Sequence, residues 1–321
     1  MTGQLVGEAW LFAFVLWSGL ALGCLGLLMI GHLLGESWIH PVRDELEAGA
    51  LTIPLAGLLG LPLLLALADL YPWAAAAELS HEVPEWRAAW LEPWFVLARN
   101  AGYFVLWTVL ALLVVRRGEH PAASAIGLVL LTPTVSLAGF DWILSREPAW
   151  WSGVFGLAFS VSQLLGALAL TILIELLRPG GDPHPEHLRG LTKALLALAL
   201  VALWLWFAQF LIVWSANLPH EVAWYLRRGE QWAIVNWGVA LPALALGLAL
   251  LIPPHAGRRR IVASGVLLLL NHVAYMAWLI RPPAPIPVLH WLDPLALVVF
   301  GLLLGALFVH RLDRRPGAQA Y

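Results

Sequence analysis

The chain has little charge and almost no cysteine. Only 12% of its 321 residues are charged, about half the share of an average soluble protein. Cys24 is the single cysteine. One thiol cannot hold an iron–sulfur cluster or attach a c-type haem through a Cys-x-x-Cys-His motif. The net charge of −2 gives no sign of a nucleic-acid partner. We therefore expect no metal ion and no cofactor to be bound by this chain alone.

Apolar residues make up 61% of the sequence and fall into long runs. A membrane-spanning helix needs about 20 such residues. We predict an all-α, polytopic transmembrane bundle of about nine spans, formed by one integral membrane domain over residues 1–321. The expected arrangement is two four-helix bundles plus one peripheral helix. The predicted spans lie near 10–34, 51–71, 95–115, 123–140, 152–176, 191–214, 232–252, 261–280 and 290–310.

Basic residues are unevenly shared between the two ends of the predicted bundle. Twelve lie at one end, here called the basic end, and six at the other. Because cytoplasmic loops are rich in Lys and Arg, we expect the basic end to face the cytoplasm. The N-terminus is then outside and the C-terminus inside. No Lys or Arg precedes Arg43, so the first span lacks the basic region of a signal peptide and is expected to be retained.

Tryptophan is concentrated at the opposite end, here called the tryptophan-rich end. Ten of the 19 tryptophans fall there: Trp73, Trp86, Trp90, Trp94, Trp142, Trp150, Trp151, Trp224, Trp232 and Trp291. Tryptophan favours the membrane interface, where its ring is buried and its N–H finds a partner. It is also enriched at protein–protein interfaces. Both an aromatic belt and a docking surface for another protein remain open, and the one-sided distribution favours docking.

Four sequence blocks carry a family resemblance. They are residues 27–48, with Gly31-His32 and Arg43-Asp44-Glu45-Leu46-Glu47-Ala48; residues 70–74, Leu-Tyr-Pro-Trp-Ala; residues 140–156, with Asp141-Trp142-Ile143-Leu144-Ser145 and Trp151-Ser152; and residues 209–227, with Asn217-Leu218-Pro219-His220-Glu221 and Arg227. The chain resembles the ActF-type membrane subunit of alternative complex III, a bacterial quinol:cytochrome c oxidoreductase, and the related NrfD, or polysulphide-reductase, family. His220 replaces a glutamate usual in the family, and the family's usual tenth span is missing.

The resemblance implies a subunit of a quinol-oxidising complex in the bacterial inner (cytoplasmic) membrane, not catalytic on its own. The implied partners are a sister NrfD-like membrane subunit, an iron–sulfur subunit and c-type cytochrome subunits. Quinol, iron–sulfur clusters and c-type haems are expected on those partners. This chain would serve as a scaffold for the redox subunits and as a proton-conducting element. Alternatives are a quinol-interacting anchor of another NrfD-type reductase and a secondary transporter, although Pro54, Pro62 and Pro242 do not mark a matched pair of broken helices.

Ionisable groups inside a bilayer are costly unless they are paired or hydrated, so each is a functional candidate. Asp69, Arg99 and Asp141 are expected at similar depth, either as an ion-pair clasp or as a proton exit. Gln163, Gln209 and His272 lie near mid-membrane, where they could line a proton route or only bond neighbouring helices. At the basic end, the predicted mouth of the route consists of His32, Glu36 and Glu175. His32 and Glu36, four residues apart, would share a helix face.

The resemblance blocks supply a second set of candidates, for docking or for structure. They are Trp142, Ser145, Glu147, Trp150, Trp151, Ser152, Asn217, Pro219, Glu221 and Arg227. We expect Pro219 to end a helix and Glu221 to pair with Arg227 across the following turn. A b-type haem would need two histidines at one depth on facing helices. His32 and His310 both lie near the basic end, whereas His272 has no evident mate.

Overall fold

A computed structural model of the chain describes residues 2–35, 37–75, 83–178, 184–229, 231–252, 257–284 and 290–313. These ranges contain no β-strand. Nine of their segments are long and apolar enough to cross a membrane, which confirms the predicted all-α, multi-pass architecture. We number them spans 1 to 9: Gly3–Leu34, Trp38–Leu70, Pro93–Arg117, Pro121–Arg146, Phe155–Leu177, Pro185–Ala216, Ile234–Leu251, Arg258–Ile280 and Leu292–Asp313.

Most spans are built from one long α-helix, but spans 2 and 7 are segmented. The α-helices are Thr2–Leu34, Arg43–Ala50, Ile53–Gly60, Leu67–Leu70, Glu85–Trp90, Pro93–Arg117, Pro121–Trp142, Phe155–Leu177, Pro185–Ala216, Pro219–Arg227, Leu241–Leu251, Arg258–Ile280 and Leu292–Asp313. Short 3-10 helices run Ser37–Val42, Leu61–Ala66, Pro72–Ala74 and Leu144–Arg146, and a π-helix runs Ile234–Ala240.

Prolines explain the segmentation, because proline lacks the N–H that the helix ladder requires. Pro54 and Pro62 stand in the first turns of two successive short helices of span 2. Pro242 stands in the first turn of the α-helix that follows the π-helix of span 7. Span 2 is the second helix of its bundle and span 7 the third of the other. The two broken spans therefore do not form the matched pair expected of a transporter.

The spans pack as the sequence predicts. Spans 1 to 4 form one four-helix bundle and spans 5 to 8 a second one, joined mainly by spans 1 and 4 against span 5. Span 9 packs at the periphery, against spans 1 and 2. Span 1 lies in the centre and is the most buried span of the described chain. A helix that is apolar all round is typically buried in this way.

Small residues let span 5 approach span 1. Gly19, Gly23 and Gly26 follow one face of span 1, and a methyl group at any of them would collide with span 5. Gly19 faces the amide of Gln163, and Gly23 faces the backbone carbonyl of the same residue. Close backbone approach through small residues is a common way to pack helices in membranes. This stripe therefore sets the junction of the two bundles.

Candidate functional site

A bidentate ion pair joins spans 3 and 4 at the tryptophan-rich end. Arg99 Nη2 lies 2.6 Å from Asp141 Oδ1, and its Nε lies 2.8 Å from Asp141 Oδ2. The Arg99 guanidinium also stacks over the Trp90 ring, 4.2 Å from its centroid. Asp69, expected in the same cluster, is exposed and forms no ion pair within the described residues. It sits in the four-residue helix Leu67–Leu70, whose buried residue is Leu70.

The segment after Asp141 is held by buried hydrogen bonds. Ser145 Oγ donates to the Asp141 carbonyl at 2.5 Å and accepts from Trp73 Nε1 at 3.0 Å. Tyr71 donates its hydroxyl proton to the Trp142 carbonyl at 3.1 Å. Burial raises the pKa of Tyr71, which keeps the hydroxyl protonated. The side chains of Trp142 and Ser145 lie inside the chain and so leave no surface to a docking partner.

Four buried charged residues form a cluster that the sequence reading missed. Arg146 contacts both the Glu8 carboxylate and the Ile280 carbonyl. Arg281 lies 3.0 Å from Asp293 Oδ2 and 3.6 Å from Glu8 Oε2. Burial lowers the pKa of Arg281, while the two carboxylates oppose that shift. Two cations and two anions balance, so the cluster ties the starts of spans 1 and 9 to the ends of spans 4 and 8.

Glu147 pairs with two arginines, Arg227 at the end of the helix Pro219–Arg227 and Arg228 directly after it. Arg227 pairs with this carboxylate, and Arg228 Nη2 lies 2.8 Å from its Oε1. The expected partner of Arg227 was Glu221, so that expectation is wrong. Arg228 is buried with its guanidinium 3.6 Å from the centroid of the Trp224 ring. Burial lowers the pKa of Arg228 to about 10 despite the opposing effect of Glu147.

Trp150 and Trp151 are adjacent but have different environments. Trp150 is 2% exposed, and its ring stacks on Trp224 with centroids 4.4 Å apart. Trp151 is 59% exposed and meets Trp86 edge-on, with centroids 6.1 Å apart. Trp94 is also exposed at this end. A neighbouring protein could therefore contact the indole rings of Trp86, Trp94 and Trp151 at this end of the described chain. It could not contact the buried ring of Trp150.

Three further residues of the resemblance blocks, Ser152, Asn217 and Pro219, determine the local backbone conformation. Ser152 offers its carbonyl to the Phe155 N–H at 3.3 Å, at the start of span 5. Asn217 takes the left-handed conformation, φ 48°, after the last turn of span 6. Asparagine tolerates this conformation better than most residues. Span 6 ends at Ala216, and Pro219 is the first residue of the next helix, Pro219–Arg227, so the expectation that this proline ends a helix is wrong. Their observed contacts therefore shape two loops.

A cavity of about 450 Å³ lies between spans 5 to 8 and the helix after span 6. Its wall is mostly apolar and aromatic, and the polar groups include Asn236, Asn271, Tyr225 and His272. His272 is buried, and its Nε2 has no hydrogen-bond partner within the described chain. Tyr225 accepts a 3.4 Å hydrogen bond from Gln209 Nε2, and burial raises the pKa of Tyr225 to about 12. The cavity can therefore hold an apolar molecule that carries a polar group.

Gln163 is the remaining mid-membrane candidate. It donates to the Phe159 carbonyl of its own helix at 3.3 Å and lies 3.6 Å from Met276 Sδ. Met276 also lines the cavity. Within the described residues, no hydrogen bond joins Gln163 to Asp141 or to His32. A continuous route through direct protein hydrogen bonds is therefore not formed by these groups.

At the basic end, His32 and Glu175 belong to separate groups. His32 Nδ1 lies 3.2 Å from Ser124 Oγ of span 4. Glu36, its predicted neighbour, lies outside the described residues. Glu175 lies 2.7 Å from Arg178 Nη2, and the other arm of that guanidinium lies 3.0 Å from Glu45 Oε1.

Glu45 is a further buried acid that the sequence patterns did not single out. It is fully buried where spans 2 and 5 meet, beside the second carboxylate, Glu175. Two carboxylates around one arginine leave a site that can exchange a proton. Glu45 falls between the predicted spans 10–34 and 51–71, so hydropathy did not place it in a helix that packs inside the bundle.

The described ranges contain no group of three side chains placed to hold a metal ion. Comparison with protein-family models and with curated proteins finds no match.

Proposed function

We propose that this chain is an integral membrane subunit of a quinol:cytochrome c oxidoreductase of the alternative complex III type, in the bacterial cytoplasmic membrane. The observation that carries this proposal is the convergence of contacts on residues 141–152, which lie within the block 140–156 of the resemblance. Asp141, Arg146 and Glu147 each enter a separate ion-pair group there. A segment held by so many buried contacts suits a scaffold, because docking onto a preorganised surface loses little entropy.

In this proposal, the redox centres belong to the partners: an iron–sulfur subunit, c-type cytochrome subunits and a sister NrfD-like membrane subunit. Quinol oxidation occurs mainly on the sister and iron–sulfur subunits. Exposed tryptophans support docking, because tryptophan commonly anchors protein interfaces. Trp151 belongs to this segment, Trp86 contacts Trp151, and Trp94 is exposed at the same end.

Purification of the tagged native chain tests the assignment. We expect the iron–sulfur and cytochrome subunits to co-purify, with quinol-dependent reduction of cytochrome c. Recovery of the chain alone, or with subunits of another class, would refute it. The control for nonspecific capture is the same purification from wild-type membranes, in which the chain carries no tag.

The basic end supports a role in proton conduction. His32, Glu45 and Glu175 are buried titratable groups at one end of the bundle. Water could link such groups where direct bonds do not. In proteoliposomes of the whole complex, His32→Gln and Glu45→Gln should lower the protons moved per electron while quinol oxidation continues. Glu119→Gln, an exposed acid of the same end, is the control. If the number of protons moved per electron is unchanged in both test variants, proton conduction is excluded and only the scaffold role remains.

A quinol-interacting anchor is the second candidate, and the cavity between spans 5 to 8 favours it. Its volume of about 450 Å³ falls in the range of small-molecule sites. Aromatic walls and a buried imidazole suit a ring with oxygen substituents. Quinone retained by the purified chain, and lost when Leu165→Trp fills the cavity, would support this function. Equal quinone content in both proteins would exclude it.

A further inference from the structure

Among the described residues, Arg87 is a buried cation without a counter-ion. It lies in the short helix Glu85–Trp90 between spans 2 and 3, and it is only 7% exposed. Its one side-chain hydrogen bond within the described residues runs from Nη2 to the Trp150 carbonyl, at 2.6 Å. No described carboxylate forms an ion pair with it. Burial lowers its pKa to about 10, so the guanidinium remains charged at neutral pH. A buried charge of this kind calls for an anion.

The Arg87 side chain lines a cavity of about 250 Å³. One wall is apolar, from Leu137, Phe140 and Leu144, and the rim carries the exposed rings of Trp86 and Trp151. The volume is below that of a typical whole-ligand site. It suits one end of a larger molecule whose remainder extends beyond the cavity.

The position of this cavity identifies its level in the membrane. Asp141, at the end of the span 4 helix, also lines it, and both oxygens of that carboxylate are already held by Arg99. Tryptophan-rich ends of spans lie at the headgroup level. A phospholipid presents its phosphate at this level and its acyl chains immediately below it. The arginine and the apolar wall match those two parts in that order.

We propose that this cavity binds a phospholipid, with the phosphate on Arg87 and the upper part of an acyl chain against Leu137 and Phe140. Arginine binds phosphate through charge-assisted hydrogen bonds. The lipid would supply the missing negative charge and cover the apolar wall. It would also brace the Trp150 loop through Arg87. This site is independent of the redox assignment.

Native mass spectrometry of the purified, delipidated full chain tests the site, with phosphatidylglycerol as the probe. We expect one tightly bound lipid. Arg87→Gln should weaken its binding by about tenfold or more. Leu137→Trp, which fills the cavity and keeps the arginine, should do the same. Arg227→Gln is the matched control, because it removes an exposed arginine of the same end.

Ligand controls separate the possible sources of the anion. Diacylglycerol with the same acyl chains should bind weakly, since it lacks the phosphate. Excess inorganic phosphate should not displace the lipid, since it cannot use the apolar wall. Equal lipid binding by Arg87→Gln and Arg227→Gln, or displacement by inorganic phosphate, would overturn the proposal. Thermal unfolding of each variant without lipid identifies any that fails to fold, and Leu137→Trp then decides.

Discussion

Arg99 on span 3 grips both carboxylate oxygens of Asp141 on span 4, at 2.6 and 2.8 Å. Both side chains are almost fully buried. The pair of Arg43 and Glu119 at the basic end has one arm of 2.8 Å, but its acid is 52% exposed. The N–O distances of the two pairs are similar, but their surroundings differ. Burial therefore decides how much each pair contributes to the stability of the chain.

We predict that Asp141→Asn lowers the free energy of unfolding by about 3–5 kcal/mol, because it leaves the Arg99 charge buried without its partner. Replacing both residues by leucine should recover much of that loss. Glu119→Gln, the control, should cost less than about 1 kcal/mol. Denaturant unfolding in detergent, followed by tryptophan fluorescence, measures all three. A loss for Asp141→Asn no larger than the control would show that the pair does not act as a clasp.

The two neighbouring tryptophans provide a matched test of docking. Trp150→Ala should destabilise the chain by about 3–5 kcal/mol, as expected when a large buried aromatic side chain is removed. Trp151→Ala should change its stability by less than about 0.5 kcal/mol, as for most surface substitutions. If the tryptophan-rich end docks the redox subunits, Trp151→Ala should release them on a native gel. Intact complex at wild-type yield would argue against docking through this ring.

The buried charge cluster should act as one unit. Glu8→Gln alone should cost about 3 kcal/mol or more, because Arg146 loses its counter-ion inside the protein. The Glu8→Gln, Arg146→Gln double variant should cost less than the sum of the single losses. Asp69→Asn, an exposed acid, is the control. Additive losses in the unfolding experiment would mean that the two residues do not interact.

The orientation predicted from basic residues can be tested with fusions. A phosphatase that is active only outside the cytoplasm should be active after Trp90 and inactive after Arg315. The reason is the twelve-to-six distribution of basic residues. The reverse pattern of activity would place the tryptophan-rich end in the cytoplasm.

Hydropathy predicted much of the fold, because a span must be apolar along its whole length. It placed the start of span 1 near residue 10, whereas the span begins at Gly3. The difference is due to Glu8, whose charge suggests a solvated end until Arg146 is seen beside it. The Arg99–Asp141 clasp could also be anticipated, since both residues lie close to the ends of consecutive spans.

The sequence by itself determined the multi-pass, all-α architecture and the nine apolar segments that the described residues contain, because composition and run length act locally. Only the tertiary structure decided which ionisable groups meet. Glu8 and Arg146 are 138 residues apart, and Arg178 reaches Glu45 from another span. It also decided that Trp150 is buried while Trp151 is exposed. Such pairings depend on helix rotation and loop path, and no spacing within a single helix encodes them.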